Sequence, residues 1–247
     1  MPQNRWSKDK NNKMVIRTKD AEREMIIDSL SDLFGVLNDG ERAHLLACMS
    51  RRLYRKGEII YHEGDIPRQL LCLVTGKAKV YKDGVGRSQI VRVVKPVGYF
   101  GYRAAFSGQA YITEAAALES SLIVKFPLAL VERFIRSNTQ LAWFFIRQLA
   151  QALGSSDERT VSLTQKHVRA RLADSILYLL DCYGTEADGI TLCSRLSRED
   201  MANLSNMTTS NAIRTLAALQ QEGLISVEGR CISILDEEEL RRVSEIG

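Results

Sequence analysis

Asn211 and Arg214 stand three residues apart, directly behind Thr208, Thr209 and Ser210. An asparagine amide can pair bidentately with adenine and an arginine guanidinium with guanine, each worth roughly 1–3 kcal/mol of discrimination. Small hydroxyl side chains beside them can reach phosphate oxygens. Polar residues of these types, with an arginine about two turns in, fit a helix whose exposed N-terminal part enters the DNA major groove.

The flanking residues are those needed to hold such a helix. Ser197 is a good N-cap, and Asp200 three residues later can reach back to it in a capping box. Met201, Leu204 and Met207 supply the apolar contacts between two short helices, and Ser205-Asn206-Met207 is the turn between them. Thr208 caps the second helix, with Asn211 three residues on. Ala212, Leu216 and Leu219, with Ile213 and Ala217 beside them, are expected to face inward at helical spacing. Alone, the segment also fits an ordinary helical hairpin with a polar cap. Its sequel favours DNA. Gly223 stops the helix, then Leu224–Val227 and Cys231–Ile234 read as short strands joined at Glu228-Gly229-Arg230. A helix-turn-helix followed at once by a hairpin is a winged helix, with Arg230 at the wing tip near the phosphate backbone.

A chain of 247 residues, 45% hydrophobic, has room for two domains with real cores. No apolar run approaches the roughly 18 residues of a membrane span, and the N-terminus carries no secretory h-region. The net charge is +4. Residues 1–19 hold Arg5, Lys8, Lys10, Lys13, Arg17 and Lys19 against Asp9, a composition expected of a disordered basic arm. The five cysteines, Cys48, Cys72, Cys182, Cys193 and Cys231, are odd in number and widely spaced. They read as reduced thiols in a cytoplasmic protein and argue against zinc or iron–sulfur ligation.

Residues 20–50 look helical, interrupted at Asn38-Asp39-Gly40. From about 51 to 126 the texture changes to short apolar runs punctuated by glycine: Glu58–Tyr61, Leu70–Val74, Ala78–Tyr81, Gln89–Val94 and Leu122–Val124. Many short strands at this spacing indicate a barrel or sandwich. Pro127 suits the first turn of a helix to about Arg136. Ser137 with Gln140 offers another capping box, starting a long helix from Thr139 past Thr160. Its apolar positions, among them Leu141, Phe144, Phe145, Leu149 and Ala152, exceed what one packing face needs. A dimer seam is the favoured reading, burial within one chain the alternative. A helix from Val168 to Tyr183 follows, ending at Gly184.

A glycine-punctuated β-roll, a long helix and a winged helix, in that order, resemble the catabolite activator (Crp/Fnr) family of bacterial transcription regulators. The resemblance covers nearly the whole chain after residue 20. In the first half it rests on Lys56–Ile60 with Glu63-Gly64-Asp65, on Leu73–Val80 and on Gly98-Tyr99-Phe100-Gly101; in the second, on Ser197–Ala202 and Arg214–Ile225. It implies an α+β chain: a cyclic-nucleotide-binding-like β-roll (jelly roll) with flanking helices over 20–136, a dimerisation helix over 137–165, and a winged helix-turn-helix over 166–247. It also implies a homodimer on a palindromic double-stranded operator, contact with RNA polymerase, and allosteric coupling of a signal in the roll to the spacing of the two readers. Ser197 and Arg198 match positions that contact phosphates in the family; Thr209, Ser210, Asn211 and Arg214 match its base-reading face. Ser210 departs from the glutamate usual there, so the familiar half-site is not expected.

The signal site departs further. Nucleotide-binding members hold the ribose and cyclic phosphate with a Gly-Glu-Leu segment and a later Arg-Ser or Arg-Thr pair. Here the segments read Gly101-Tyr102-Arg103 and Ala110-Tyr111-Ile112-Thr113, with tyrosine replacing both glutamate and arginine. That argues against a cyclic nucleotide. The expected effector pocket is Gly101, Tyr102, Arg103, Tyr111 and Thr113, facing the long helix from Leu141 to Leu149. Its occupant is unidentified, or the roll acts without one. The oxygen-sensing branch uses an N-terminal cysteine cluster, and no cysteine precedes Cys48. Haem stays open on His44, His62 and His167, none of them in a ligation motif. Two other function classes compete. One is a sensor whose C-terminal domain binds protein; the basic recognition face and Arg230 argue against it. The other is an enzyme, for which no Ser/His/Asp set, paired-histidine motif or P-loop is present.

Overall fold

A computed structural model describes residues 19–246. The basic segment 1–18 and Gly247 lie outside the described residues. The N-terminal helices are α1 (Lys19–Ser29), α2 (Ser31–Phe34) and α3 (Asp39–Ala47). The Asn38-Asp39-Gly40 interruption is the start of α3 and not a loop. Asn38 accepts the Glu41 amide while the Glu41 carboxylate accepts the Asn38 amide, a complete capping box.

The roll follows: β1 (Ser50–Tyr54), β2 (Ile59–Tyr61), β3 (Gln69–Thr75), β4 (Ala78–Asp83), β5 (Ser88–Val94), β6 (Gly98–Phe100), the short helix α4 (Tyr102–Phe106), β7 (Glu114–Ala117) and β8 (Ser121–Pro127). Two antiparallel sheets form, in the orders β1-β8-β3-β6 and β2-β7-β4-β5. Sequence patterning missed β1, β6 and β7. β1 is exposed apart from its last residue, so it carries no apolar run, and β6 and β7 are only three and four residues long. One turn between the sheets requires glycine. Gly76 has φ +87°, and a Cβ there would lie 2.4 Å from the Ser120 carbonyl.

Then come α5 (Leu128–Ser137), α6 (Thr139–Gln165), α7 (Val168–Tyr183), α8 (Arg198–Leu204), α9 (Thr209–Gln221), β9 (Ile225–Glu228), β10 (Cys231–Ile234) and α10 (Glu237–Ile246). The cap of α6 is Asn138, whose Oδ1 accepts the Leu141 amide at 3.1 Å. Ser137, expected in that role, closes α5 instead, its hydroxyl donating to the Phe134 carbonyl.

The first turns of α6 differ most from expectation. Leu141, Phe144 and Phe145, expected at a dimer seam, are buried in their own chain. Phe144 meets Tyr99 edge-on at 5.5 Å and Phe145 packs on Tyr102 at 5.4 Å, in the core between the roll and α1–α5. Leu149 and Ala152 are half-buried. The residues left in solvent are Trp143, Ile146, Leu153 and Val161, each 49–60% exposed. Spaced by three, seven and eight residues, they lie on one side of a 27-residue helix.

The C-terminal half does not stand clear of the roll. Ile90 and Val93 of β5 belong to the same buried cluster as Ile176, Met201, Leu204, Leu216 and Ile232. Polar contacts join the same surfaces. Lys79 of β4 donates to Asp200 of α8 at 2.6 Å, and the Tyr183 hydroxyl donates to the Val94 carbonyl. Arg159 of α6 lies over the Tyr178 ring and donates to the carbonyls of Ile90 and Leu204. It thereby ties the long helix to β5 and to the end of α8. Burial, the largest influence on Arg159, pushes its pKa down.

Candidate nucleic-acid interface

The helix pair forms as its caps dictate. Ser197 accepts the Asp200 amide at 3.0 Å, and its hydroxyl donates to the Asp200 carboxylate at 2.7 Å. Both Asp200 oxygens are thus engaged, one by the Ser197 hydroxyl and the other by Lys79. Burial works to raise the Asp200 pKa, but the hydrogen bonds from Lys79 and Ser197 and the Lys79 charge outweigh it and hold the carboxyl below its ordinary value. The turn closes with the Met207 amide on the Ala202 carbonyl. Asn206 takes φ +52°, a left-handed conformation that asparagine adopts more readily than other non-glycine residues. Thr208 then caps α9, accepting the Asn211 amide at 3.2 Å.

Ala212, Leu216 and Leu219 bury, fixing which side of α9 faces the core. Thr208, Thr209, Ser210 and Arg214 are exposed and Asn211 is half-buried. The Arg214 guanidinium donates to the Asn211 side-chain oxygen, so the two candidate readers pair with each other. Ile213 and Ala217, expected to face inward, are exposed on the outer side. They follow Ala212 and Leu216 by one residue, about 100° around the helix, which carries them off the buried arc.

The wing lies alongside. β9 and β10 pair from Ile225↔Ile234 to Glu228↔Cys231, with Gly229 at φ +57° in the turn and Arg230 exposed at its tip. Arg198 does not reach freely into solvent. Its Nη2 donates to the Gly229 carbonyl at 2.6 Å, tying the start of α8 to the wing, while its Nη1 is buried without a hydrogen-bond partner. Thr208, Thr209, Ser210, Asn211 and Arg214 thus share one surface, and Arg198 is anchored to the wing that carries Arg230.

Two of the expected effector residues, Tyr102 and Arg103, are set apart from the others. Tyr102 points away from the roll's interior into the α6 core, and Arg103 is exposed on α4. Tyr111 enters the roll and stacks on Tyr61, their rings 3.8 Å apart and 18° from parallel. Burial, the largest influence, pushes the Tyr61 pKa up, with Thr113 acting in the opposite sense. Gly101, at φ +81°, abuts this pair, and a Cβ there would meet the Tyr111 hydroxyl at 2.9 Å. Tyr61 lies 50 residues before Tyr111, so no local motif announced it. The stacked rings line an open depression of about 440 Å³, shared with Ile60, Asp65, Ile66 and Arg68. The Tyr54 hydroxyl, fully buried in the same apolar cluster, has no hydrogen-bond partner.

His44, His62 and His167 are exposed at separate places. Among the described residues no three His, Cys, Asp or Glu side chains converge to hold a metal ion. No helix among them is long and apolar enough to cross a membrane.

Two family models match in succession. The cyclic nucleotide-binding domain matches residues 51–138, and the Crp-like helix-turn-helix domain matches residues 170–243. The chain is 22% identical over 209 residues to the CRP-like cAMP-activated global transcriptional regulator of Mycobacterium tuberculosis, covering 82% of this chain and 93% of that protein. It is 27% identical over 191 residues to electron transport regulator A of Shewanella oneidensis, covering 75% of each. Its fold resembles the structure of FixK2 from Bradyrhizobium japonicum, with a TM-score of 0.72, 23% identity, and coverage of 79% of this chain and 96% of that one. The first of these is by its name a transcription regulator. With a roll that matches the cyclic nucleotide-binding domain model, followed by a Crp-like helix-turn-helix, the chain belongs to the Crp/Fnr family of transcription regulators.

Proposed function

We propose that this regulator is a homodimer, that it reads a two-fold symmetric operator with paired α9 helices, and that its roll does not take a cyclic nucleotide in the family's usual manner. The exposed arc of α9 carries the first part. Thr209, Ser210 and Arg214 face solvent, with no packing role, and the wing arginine Arg230 is likewise exposed. In a dimer the two helices would enter successive major grooves about 34 Å apart. RNA polymerase is the further protein partner that activation or repression from such a site would involve.

The seam of the dimer is the stripe Trp143, Ile146, Leu153 and Val161. A helix of 27 residues with this spacing suits a two-stranded coil, and among the described residues the stripe is left in solvent. For the roll, Tyr111 stands where an anion clamp would need a cation, and its ring is engaged with Tyr61. An effector that fits would be small and apolar or aromatic, entering by the Tyr61–Tyr111 depression; a roll without any effector is the other outcome.

Selection of bound duplexes from a random pool, followed by sedimentation of protein and complex, tests this reading. The expected result is an enriched two-fold symmetric site occupied by a dimer. The double variant Ile146→Glu/Leu153→Glu should sediment as a folded monomer and lose most of its operator affinity. An unchanged dimer would move the seam elsewhere, and a pool without enrichment would sink the DNA reading. Mass spectrometry of the purified dimer, looking for a bound small molecule, decides the state of the roll.

A further inference from the structure

Ile213 sits where folding gives no reason for an isoleucine. Its side chain is 49% exposed, while the inward face of α9 is already supplied by Ala212, Leu216 and Leu219. β-Branched residues are among the weaker helix formers, so neither packing nor propensity favours one here. Its position on the helix is informative. Ile213 is one turn after Ser210 and one turn before the exposed Ala217, and it adjoins Arg214. These four residues lie on the outward arc and are neighbours at three- and four-residue spacing. The surface that would meet base edges therefore holds one large apolar side chain beside its arginine.

Major-groove base edges offer few matches for such a group. Their exposed atoms are hydrogen-bond donors and acceptors, except for the C5 methyl of thymine. An isoleucine pressed on polar edges would strip them of water without replacing their hydrogen bonds. On a thymine methyl it would bury apolar surface on both sides. We propose that Ile213, backed by Ala217, is a specificity residue that reads the methyl group of a thymine next to the base pair contacted by Arg214. This rests on the DNA-reading role of α9 and adds the chemical class of one base in the half-site. Asn211 lies on the other flank of the arc, paired with Arg214, so the methyl is read on one side of the arginine only.

The test uses the full-length dimer and the duplex selected from a random pool. Each thymine of the half-site is replaced in turn by deoxyuridine, which removes the methyl and leaves every hydrogen-bonding atom in place. One position should weaken binding about fourfold per half-site, the worth of one buried methyl. Changing both half-sites should multiply this to about fifteenfold. Ile213→Ala should bind the thymine and deoxyuridine duplexes equally at that position, and Ile213→Val should keep part of the preference. Indifference of the unmodified protein to deoxyuridine at every position overturns the inference, as does a penalty that survives in Ile213→Ala. An enriched half-site without thymine overturns it while leaving the DNA reading intact; a pool with no enriched sequence overturns both.

Discussion

At the start of α9, Thr208 caps the helix with its own side chain and Thr209, Ser210 and Arg214 stand in solvent. At the start of α4, Gly101 provides no side-chain cap and Tyr102 turns into the core against Phe145. The first is the surface proposed to read DNA and the second the segment expected to line an effector pocket, and they treat their side chains in opposite ways. The reader keeps polar groups available, paired only with each other through Arg214 and Asn211. The roll spends its aromatic groups on itself, with Tyr61 stacked on Tyr111 over Gly101. A surface that must recognise an external partner tolerates substitution without unfolding. An interior filled by its own rings does not, and any signal molecule would first have to compete with that stacking.

The sharpest way to break this contrast is to remove one member from each side. Tyr111→Ala should cost about 3–5 kcal/mol of unfolding free energy, as for other large-to-small changes of buried rings. Its effect on operator affinity at saturating stability should be small. A stability loss below about 1 kcal/mol in urea unfolding would show that the ring is not filling the roll. Arg214→Ala should behave the other way. Operator affinity should fall by roughly 1–3 kcal/mol, with relaxed preference at one base pair, while the unfolding midpoint stays in place. If Arg214→Ala bound the selected duplex like the parent protein, the reader would be misassigned.

The contrast also explains what the sequence made legible. Local signals survived folding: Ser197 and Thr208 are caps whose partners lie three residues away, and Gly223 and Gly184 end their helices with φ +76° and +68°. Signals that needed a tertiary partner did not. Tyr111 was visible as a departure, but its stacking partner Tyr61 was not, and Tyr102 was placed in the same pocket although its ring faces the other way. On α6 the apolar residues were found but divided wrongly. Leu141, Phe144 and Phe145 are drawn into the core by Tyr99 and Tyr102, elements about 40 residues upstream, leaving Trp143, Ile146, Leu153 and Val161 outside. On α9 the error was smaller and avoidable. Ala212, Leu216 and Leu219 alone define the buried arc, and helical geometry then sets Ile213 and Ala217 beside it.

Lys79 and Asp200 join the roll to the first helix of the helix-turn-helix, and the pair was invisible in the sequence because 121 residues separate them. Lys79 belongs to the roll, and Asp200 belongs to the first turn of α8, where it also holds Ser197. If this bond docks the reader on the roll, a double-mutant cycle of Lys79→Ala and Asp200→Ala should show coupling of about 1 kcal/mol in urea unfolding, between the values for exposed and buried pairs. The pH dependence has a definite sign. The Asp200 carboxyl is held below its ordinary value in the folded chain, so its contribution is complete above the unfolded-state value of about 3.9. It is lost as pH falls through the lower folded value. The stability difference between the parent protein and Asp200→Asn should therefore be constant from pH 5 to pH 8, on the order of the coupling energy, and shrink toward zero in acid below about pH 4. A difference that stayed constant into acid would show that the carboxylate charge is not what holds α8 against the roll, and would leave the apolar contact of Ile90 and Val93 with Met201 and Leu204 as the joint between the two ends.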